Sequence, residues 1–348
     1  MRAKADLQLA KWLYCGACCI FIQILLGGIT RLTGSGLSIT EWQPLIGFLP
    51  PMDTAQWNHS FNQYKEIAQF KQVNSHFGLV DYQMIFFWEW LHRNWARMLG
   101  LIFIIPFFVF LFTGKIRMKM LIQLTILFLL GSLQAVIGWI MVKSGLNDTS
   151  IAVNDVKLAI HFITALLLLA YTLWLAFKLS IPPLTLHYAA GLKNLTGFTL
   201  ILIFLQLFYG GLMAGSKAAL AAQTWPDING HIIPPEFYVT SLRSGTTYLL
   251  TVQFIHRTLA YLIAILILLI YKKSIFLKAQ QFTTLLRPIP LILVLTQIVL
   301  GIMTLLNTLG PFYKFYALIH QGTGILLMAA VLPIFYLSHK KSVCERSL

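Results

Sequence analysis

Glu89-Trp90-Leu91-His92-Arg93 and Gln253-Phe254-Ile255-His256-Arg257 are two versions of one pattern, placed in opposite halves of a 348-residue chain. The correspondence continues downstream. Leu133-Gln134 followed by Gly138 and Met141 matches Thr296-Gln297 followed by Gly301 and, less well registered, Met303. Leu158-Ala159-Ile160-His161 then matches Ala317-Leu318-Ile319-His320. The spacing between matched positions drifts only by loop-sized amounts, as a duplicated ancestor requires. Four histidines therefore form two equivalent pairs, His92 with His161 and His256 with His320.

Composition sets the medium in which these histidines work. With 58% hydrophobic and 11% charged residues, and apolar runs recurring along nearly the whole chain, this is a polytopic membrane protein. A bilayer core needs about 20 helical residues to cross it. Runs of that length are read at 12–30, 86–113, 119–142, 157–178, 195–214, 249–271, 288–306 and 315–338. The predicted fold is all-α, with eight transmembrane helices in two pseudosymmetric, parallel four-helix bundles: residues 1–178, a cytoplasmic linker at 179–194, and residues 195–348.

The net charge of +15 would suit a nucleic-acid partner, but its placement argues against one. Arg2, Lys4 and Lys11 precede span 1; Lys115, Arg117 and Lys119 follow span 2; Lys178 and Lys193 bracket the linker. Lys272, Lys273, Lys278 and Arg287 follow span 6, and Lys340, Lys341 and Arg346 end the chain. The alternate connections, 31–84 and 215–248, are longer and poorer in Lys and Arg. Positive residues stay inside, so both termini are expected in the cytoplasm. Span 1 starts near Trp12 after a short basic stretch, which suits a signal-anchor in a bacterial cytoplasmic (inner) membrane. Cys15, Cys18 and Cys19 lie in or near span 1 and read as small packing residues; with only Cys344 besides, no loop disulfide is available.

With cytoplasmic termini, the even-numbered spans run inward and carry their histidines within about the first two turns, so all four should lie toward the periplasmic face. Repeats of four spans are parallel rather than inverted, which disfavours an alternating-access transporter. A lone imidazole in an apolar span is usually a hydrogen-bonded packing residue. Four of them, paired across helices and duplicated, match the two axial nitrogens of a hexacoordinate haem iron. Zinc competes poorly, because no cysteine or carboxylate cluster completes a tetrahedral shell. His59, His76, His187, His231 and His339 fall in loops, linker or tail and are given no ligand role.

Arg93 and Arg257 follow the first histidine of each pair and Arg97 lies one turn on, where a guanidinium can hold a haem propionate or snorkel to headgroups. Gln134 and Gln297 are duplicated polar residues inside apolar spans, suited to hydrogen bonds across helices. Glu89 lies on the face of His92 and is replaced by Gln253 in the second repeat. A carboxyl group can exchange a proton or stabilise positive charge where an amide only hydrogen-bonds, so the first bundle is expected to do chemistry and the second to carry electrons. The alternative for Glu89 is a structural ion pair with Arg93. Gly27-Gly28 and Gly210-Gly211 close spans 1 and 5, permitting close packing. A Trp-Pro element follows each, Trp42 with Pro44 and Trp225 with Pro226.

With GGITRLTGSGLS at 27–38, EWLHR at 89–93, GWIMVKSGL at 138–146, His161, TWP at 224–226, QFIHR at 253–257 and His320-Gln321, the chain resembles the haem A synthases over nearly its whole length. It lacks the cysteine pair that one branch carries in the first outer loop, and so looks like the alphaproteobacterial and mitochondrial branch. It also has Ala218-Ala219 where a glycine often follows alanine. The resemblance implies oxidation of the C8 methyl of haem O to a formyl group by successive hydroxylations, giving haem A for cytochrome oxidase. It implies haem b as cofactor on His256 and His320, the iron of the substrate haem between His92 and His161, and Glu89 as the catalytic carboxylate. Implied partners are haem O synthase, oxidase assembly factors, an electron-transfer partner and membrane lipid, with no nucleic acid; a homo-oligomer stays open. A di-haem cytochrome b passing electrons from quinol, and a haem exporter or chaperone, are the competing readings of the histidine pairs.

Overall fold

The protein was analysed as a computed structural model that describes residues 2–41, 47–181, 191–238, 245–275 and 281–339. Its long helices are α1 (Arg2–Leu32), α3 (Leu79–Phe112), α4 (Met118–Lys143), α5 (Asp155–Ser180), α6 (Leu192–Gly215), α7 (Gly245–Ile275), α9 (Pro288–Leu306) and α10 (Tyr313–His339). Shorter helices are α2 (Thr54–Lys65) and α8 (Gln281–Leu286). Among the described residues eight helices are long and apolar enough to cross a membrane, matching the eight apolar runs of the sequence. Trp42, Pro44, His187, Lys278, Lys340, Lys341, Cys344, Arg346 and residues 182–190 of the linker lie outside the described residues.

Several helices begin earlier than hydropathy alone indicates, and at α3 a polar cap marks the earlier start. Gly78 opens α3, its N–H donating to the Asp81 carboxylate at 2.9 Å, which satisfies a helix-start donor and adds two turns before the apolar run. His92 and His256 therefore sit well beyond the first two turns of α3 and α7, further along their helices than the sequence indicated. His161 and His320 lie nearer the starts of α5 and α10. At the end of α1, Gly34 takes φ +70° while the Ser35 N–H reaches back to the Thr30 carbonyl at 2.9 Å. Only a left-handed residue closes the helix this way, which is why glycine stands there.

Two compact units emerge: Cys15–Leu168, and Met1–Tyr14 with Leu169–Leu348. Each histidine pair lies inside one unit. In the second, α6 packs on α7, α7 on α9, α9 on α10 and α10 back on α6, closing a four-helix ring around its histidines. In the first, the connection after α1 folds into a cap of its own. Asp53 caps α2 by accepting the Gln56 N–H at 2.8 Å. Phe61 and Tyr64 from α2 pack on Tyr82, Ile85 and Phe86 of α3, with Trp57 and Phe70 closing the cluster. Burying each large side chain is worth about 1.5–3 kcal/mol, enough to hold a polar helix that would not persist alone. Burial also pushes the Tyr64 phenol up, so it stays a donor to Gln69 at 3.0 Å. Among the described residues of the corresponding connection of the second unit, Ala222 and Ile228 form a small cluster with Leu250 of α7. Cys15 and Cys18 are exposed on α1 and Cys19 is half-buried, none of them in a disulfide.

Candidate functional site

Each of the four histidines packs against a glycine on a neighbouring helix. A Cβ at Gly27 of α1 would stand 3.2 Å from His92 Nε2; one at Gly138 of α4 would stand 2.8 Å from His161 Cε1. The second unit repeats this, with Gly210 of α6 at 3.4 Å from His256 Cε1 and Gly301 of α9 at 3.0 Å from His320 Cε1. Four residues before each glycine, one helical turn away on the same face, stands a glutamine that reaches the same histidine. Gln23 Nε2 donates to the His92 carbonyl at 3.1 Å, and Gln134 Nε2 to the His161 carbonyl at 2.8 Å. Gln206 Nε2 lies 3.4 Å from His256 Nε2, and Gln297 Nε2 lies 3.5 Å from His320 Nε2.

The unit of the site is thus Gln-x-x-x-Gly on one helix serving one histidine on the next, four times over. Sequence reasoning found Gln134 and Gln297 but missed Gln23 and Gln206. The signal was present as Gln23-Ile-Leu-Leu-Gly27 and Gln206-Leu-Phe-Tyr-Gly210.

The second pair supplies a direct test of fit to a haem. Ring centres of His256 and His320 lie 6.4 Å apart, and Nδ1 of both rings is buried without a hydrogen-bond partner. Two metal–nitrogen bonds of about 2 Å, plus roughly 1 Å from each nitrogen to its ring centre, span about that distance. Buried unpartnered nitrogens are costly unless a ligand takes them. Among the described residues, no three His, Cys, Asp or Glu side chains are grouped to hold a metal ion, so a tetrahedral zinc shell is not available. Two nitrogens facing one metal, with the equatorial ligands supplied by a macrocycle, fit this donor set.

Glu89 and Arg93 do something the sequence only half disclosed. Glu89 is 2% exposed; its Oε2 accepts from Ser38 Oγ at 2.7 Å and from the Ile39 N–H at 2.9 Å, while Oε1 accepts from Arg93 Nη2 at 2.7 Å. Arg93 also donates to the carbonyls of Ile39 at 2.8 Å and Glu41 at 3.0 Å. Together they latch the segment after α1 onto α3. In the second unit Gln253, fully buried, donates to the carbonyls of Ala222 at 2.9 Å and Ala218 at 3.3 Å. Arg257 donates to the Asp227 carbonyl at 2.8 Å and to Gln253 Oε1 at 3.1 Å. The Asp227 carboxyl is held below its ordinary range by the Gly230 N–H, which donates to it at 2.9 Å, and this fixes the turn that Arg257 grips.

Of the three arginines singled out for propionates, Arg93 and Arg257 are thus engaged with loop carbonyls, and Arg97 donates to Asn94 Oδ1 at 2.5 Å. Trp225 donates to Tyr261 Oη at 3.1 Å beside the second latch.

Residues 10–332 match the family model described as COX15-CtaA, cytochrome oxidase assembly protein. A protein of Nitrosospira multiformis named heme A synthase is 38% identical over 329 residues, covering 93% of this chain and 91% of its own. One of the same name from Azorhizobium caulinodans is 38% identical, covering 95% and 94%. A third, from Flavobacterium psychrophilum, is 37% identical, covering 94% and 96%.

Proposed function

Because the chain belongs to the COX15-CtaA family of cytochrome oxidase assembly proteins, we infer that it is a haem A synthase, an oxidoreductase acting on haem O within a membrane. The observation that carries the assignment of sites is the duplicated histidine, each seated on a glycine and reached by a glutamine. His256 and His320 hold haem b, which supplies one-electron redox chemistry when bound. His92 and His161 flank the iron of the substrate haem within the first unit; in the repeat, residues 1–178 form the substrate bundle and residues 195–348 the haem b bundle.

Glu89 is assigned the acid–base and charge-stabilising work on the C8 methyl group as it is oxidised to a formyl group. Its carboxylate can take up a proton, whereas the Gln253 amide cannot. Ser38, Ile39 and Arg93 orient the carboxylate and balance its charge. Arg93 and Arg257 position the loops packed on α3 and α7, and Arg97 braces Asn94, whose amide donates to the Phe48 carbonyl; propionate contacts fall to whatever N–H groups these bonds leave over. The chain lies in the bacterial cytoplasmic membrane with both termini cytoplasmic, on the placement of its Lys and Arg residues. Haem O reaches it from a synthase in the same membrane.

The test is haem extraction and chromatography from a host that makes haem O but no haem A, expressing the wild type or Glu89→Gln. Haem A or its hydroxylated precursor in the wild type alone, with haem b in both, is the expected result. Haem b alone in both, with haem O present in the membrane and the protein folded, would replace this reading with an electron-carrying cytochrome b.

A further inference from the structure

The four glutamines are alike in position but not in what they bond, and the difference bears on how tightly each histidine can hold iron. The orientation of the Gln134 amide is set by a backbone carbonyl. Its nitrogen donates to the His161 carbonyl at 2.8 Å, and its oxygen lies 2.6 Å from Thr164 Oγ1, whose one proton is shared with the carbonyls of Ile160 at 2.8 Å and His161 at 3.1 Å. A carbonyl only accepts, so the nitrogen end of the amide must face it. The second proton of that nitrogen then meets His161 Nδ1 at 3.1 Å. A ring nitrogen receiving a proton donor must offer its lone pair, so in the neutral imidazole the ring proton resides on Nε2.

Gln297 is the counterpart with the opposite freedom. Its oxygen is buried without a partner, as is that of Gln206, and its nitrogen faces the ring of His320 at 3.5 Å, with no carbonyl bonded to it among the described residues. A half-turn of the amide presents oxygen to the ring, where it accepts the imidazole N–H and leaves the other nitrogen's lone pair for a metal. That is the arrangement a ligating histidine usually has.

We propose that Gln134, fixed by the His161 carbonyl, acts as a positioning residue that keeps the proton of His161 on Nε2 and so makes His161 a weak, exchangeable ligand of the substrate haem. Gln297, in contrast, secures His320 as a permanent one. Iron can bind His161 through Nε2 only if the proton moves to Nδ1, which breaks the bond from Gln134. The first unit would then hold its haem chiefly through His92, letting substrate and product exchange while haem b stays. This rests on the assignment of His92 and His161 to the substrate haem.

The experiment compares Gln134→Leu and Gln297→Leu in the full-length, detergent-solubilised protein loaded with haem O. Two readouts are taken: haem O and haem b retained per protein after dilution and gel filtration, and the spin state of each haem by electron paramagnetic resonance. Removing Gln134 should raise haem O retention roughly tenfold and move that haem toward low spin, whereas removing Gln297 should lower haem b retention by about tenfold or more, the usual scale for an outer-shell partner. Opposite signs for one substitution in two equivalent places cannot come from a packing role. Losses at both sites, or an unchanged haem O spin state in Gln134→Leu, would overturn the proposal. His92→Ala separates the two layers: if it leaves haem O retention unchanged, the assignment of the substrate site itself fails.

Discussion

The latch of the first unit accepts where the latch of the second donates. Glu89 receives a hydroxyl and a backbone N–H from the segment after α1, whereas Gln253 gives its amide protons to backbone carbonyls in the segment after α6. Arg93 and Arg257 are conserved between the repeats in identity and action, each bonding the residue four before it and a carbonyl of its loop. Duplication thus preserved the arginine and reversed the polarity of its partner. One position can be a loop anchor in both halves while only one half gains an ionisable group.

Exchanging the two residues should break this comparison most severely. Glu89→Gln is expected to lower conversion of haem O by about a hundredfold or more, the scale of a lost general acid–base group, with haem b content unchanged on extraction. Gln253→Glu faces a buried carboxylate with two carbonyls, and should cost about 3 kcal/mol or more in denaturation in detergent.

The glycines sharpen the comparison next. Gly138→Ala sets a Cβ 2.8 Å from His161 Cε1, against 3.4 Å for Gly210→Ala beside His256. Overpacking of the first kind costs about 1–3 kcal/mol and should displace the ring, lowering haem O binding. The second is ordinary contact, and haem b content should stay near that of the wild type.

Ser38→Ala then separates anchoring from chemistry at Glu89. It removes one hydrogen bond to a charged group, worth about 1.5–3 kcal/mol of stability, but leaves the carboxylate in place. Conversion of haem O should survive far better than in Glu89→Gln; equal losses in the two variants would reduce Glu89 to an anchor. The smallest effect is expected for Tyr82→Phe in the cap, which loses bonds to Ser60 at 2.5 Å and to the Ser38 carbonyl at 3.2 Å. A drop of about 1 kcal/mol in stability, with conversion little changed, would show that the cap supports the first latch without taking part in the reaction.

Much of the site was legible because its repeat is written in residue types that an apolar span rarely carries. His92, His161, His256 and His320 stand out against leucine and phenylalanine, and Glu89 against Gln253 is visible on alignment of the halves. Gln23 and Gln206 were equally visible but lie outside the stretches that align around the histidines. Helix α2 was not legible, since its residues are polar on average and its stability comes from Phe61 and Tyr64 meeting Tyr82, a contact between distant segments. The arginines were read as haem contacts because a guanidinium beside a ligand suits a propionate; loop carbonyls carry no side-chain signature, so nothing in the sequence announced them as the bonded partners.

The sequence by itself determined eight apolar helices, their duplication and the four histidines, because each follows from hydrophobic length and from side-chain identity at fixed spacing. Tertiary structure alone decided which atoms those side chains bond. Whether an amide faces a ring or a carbonyl, and whether a latch donates or accepts, depends on backbone groups that every residue shares and that only the folded chain brings within reach.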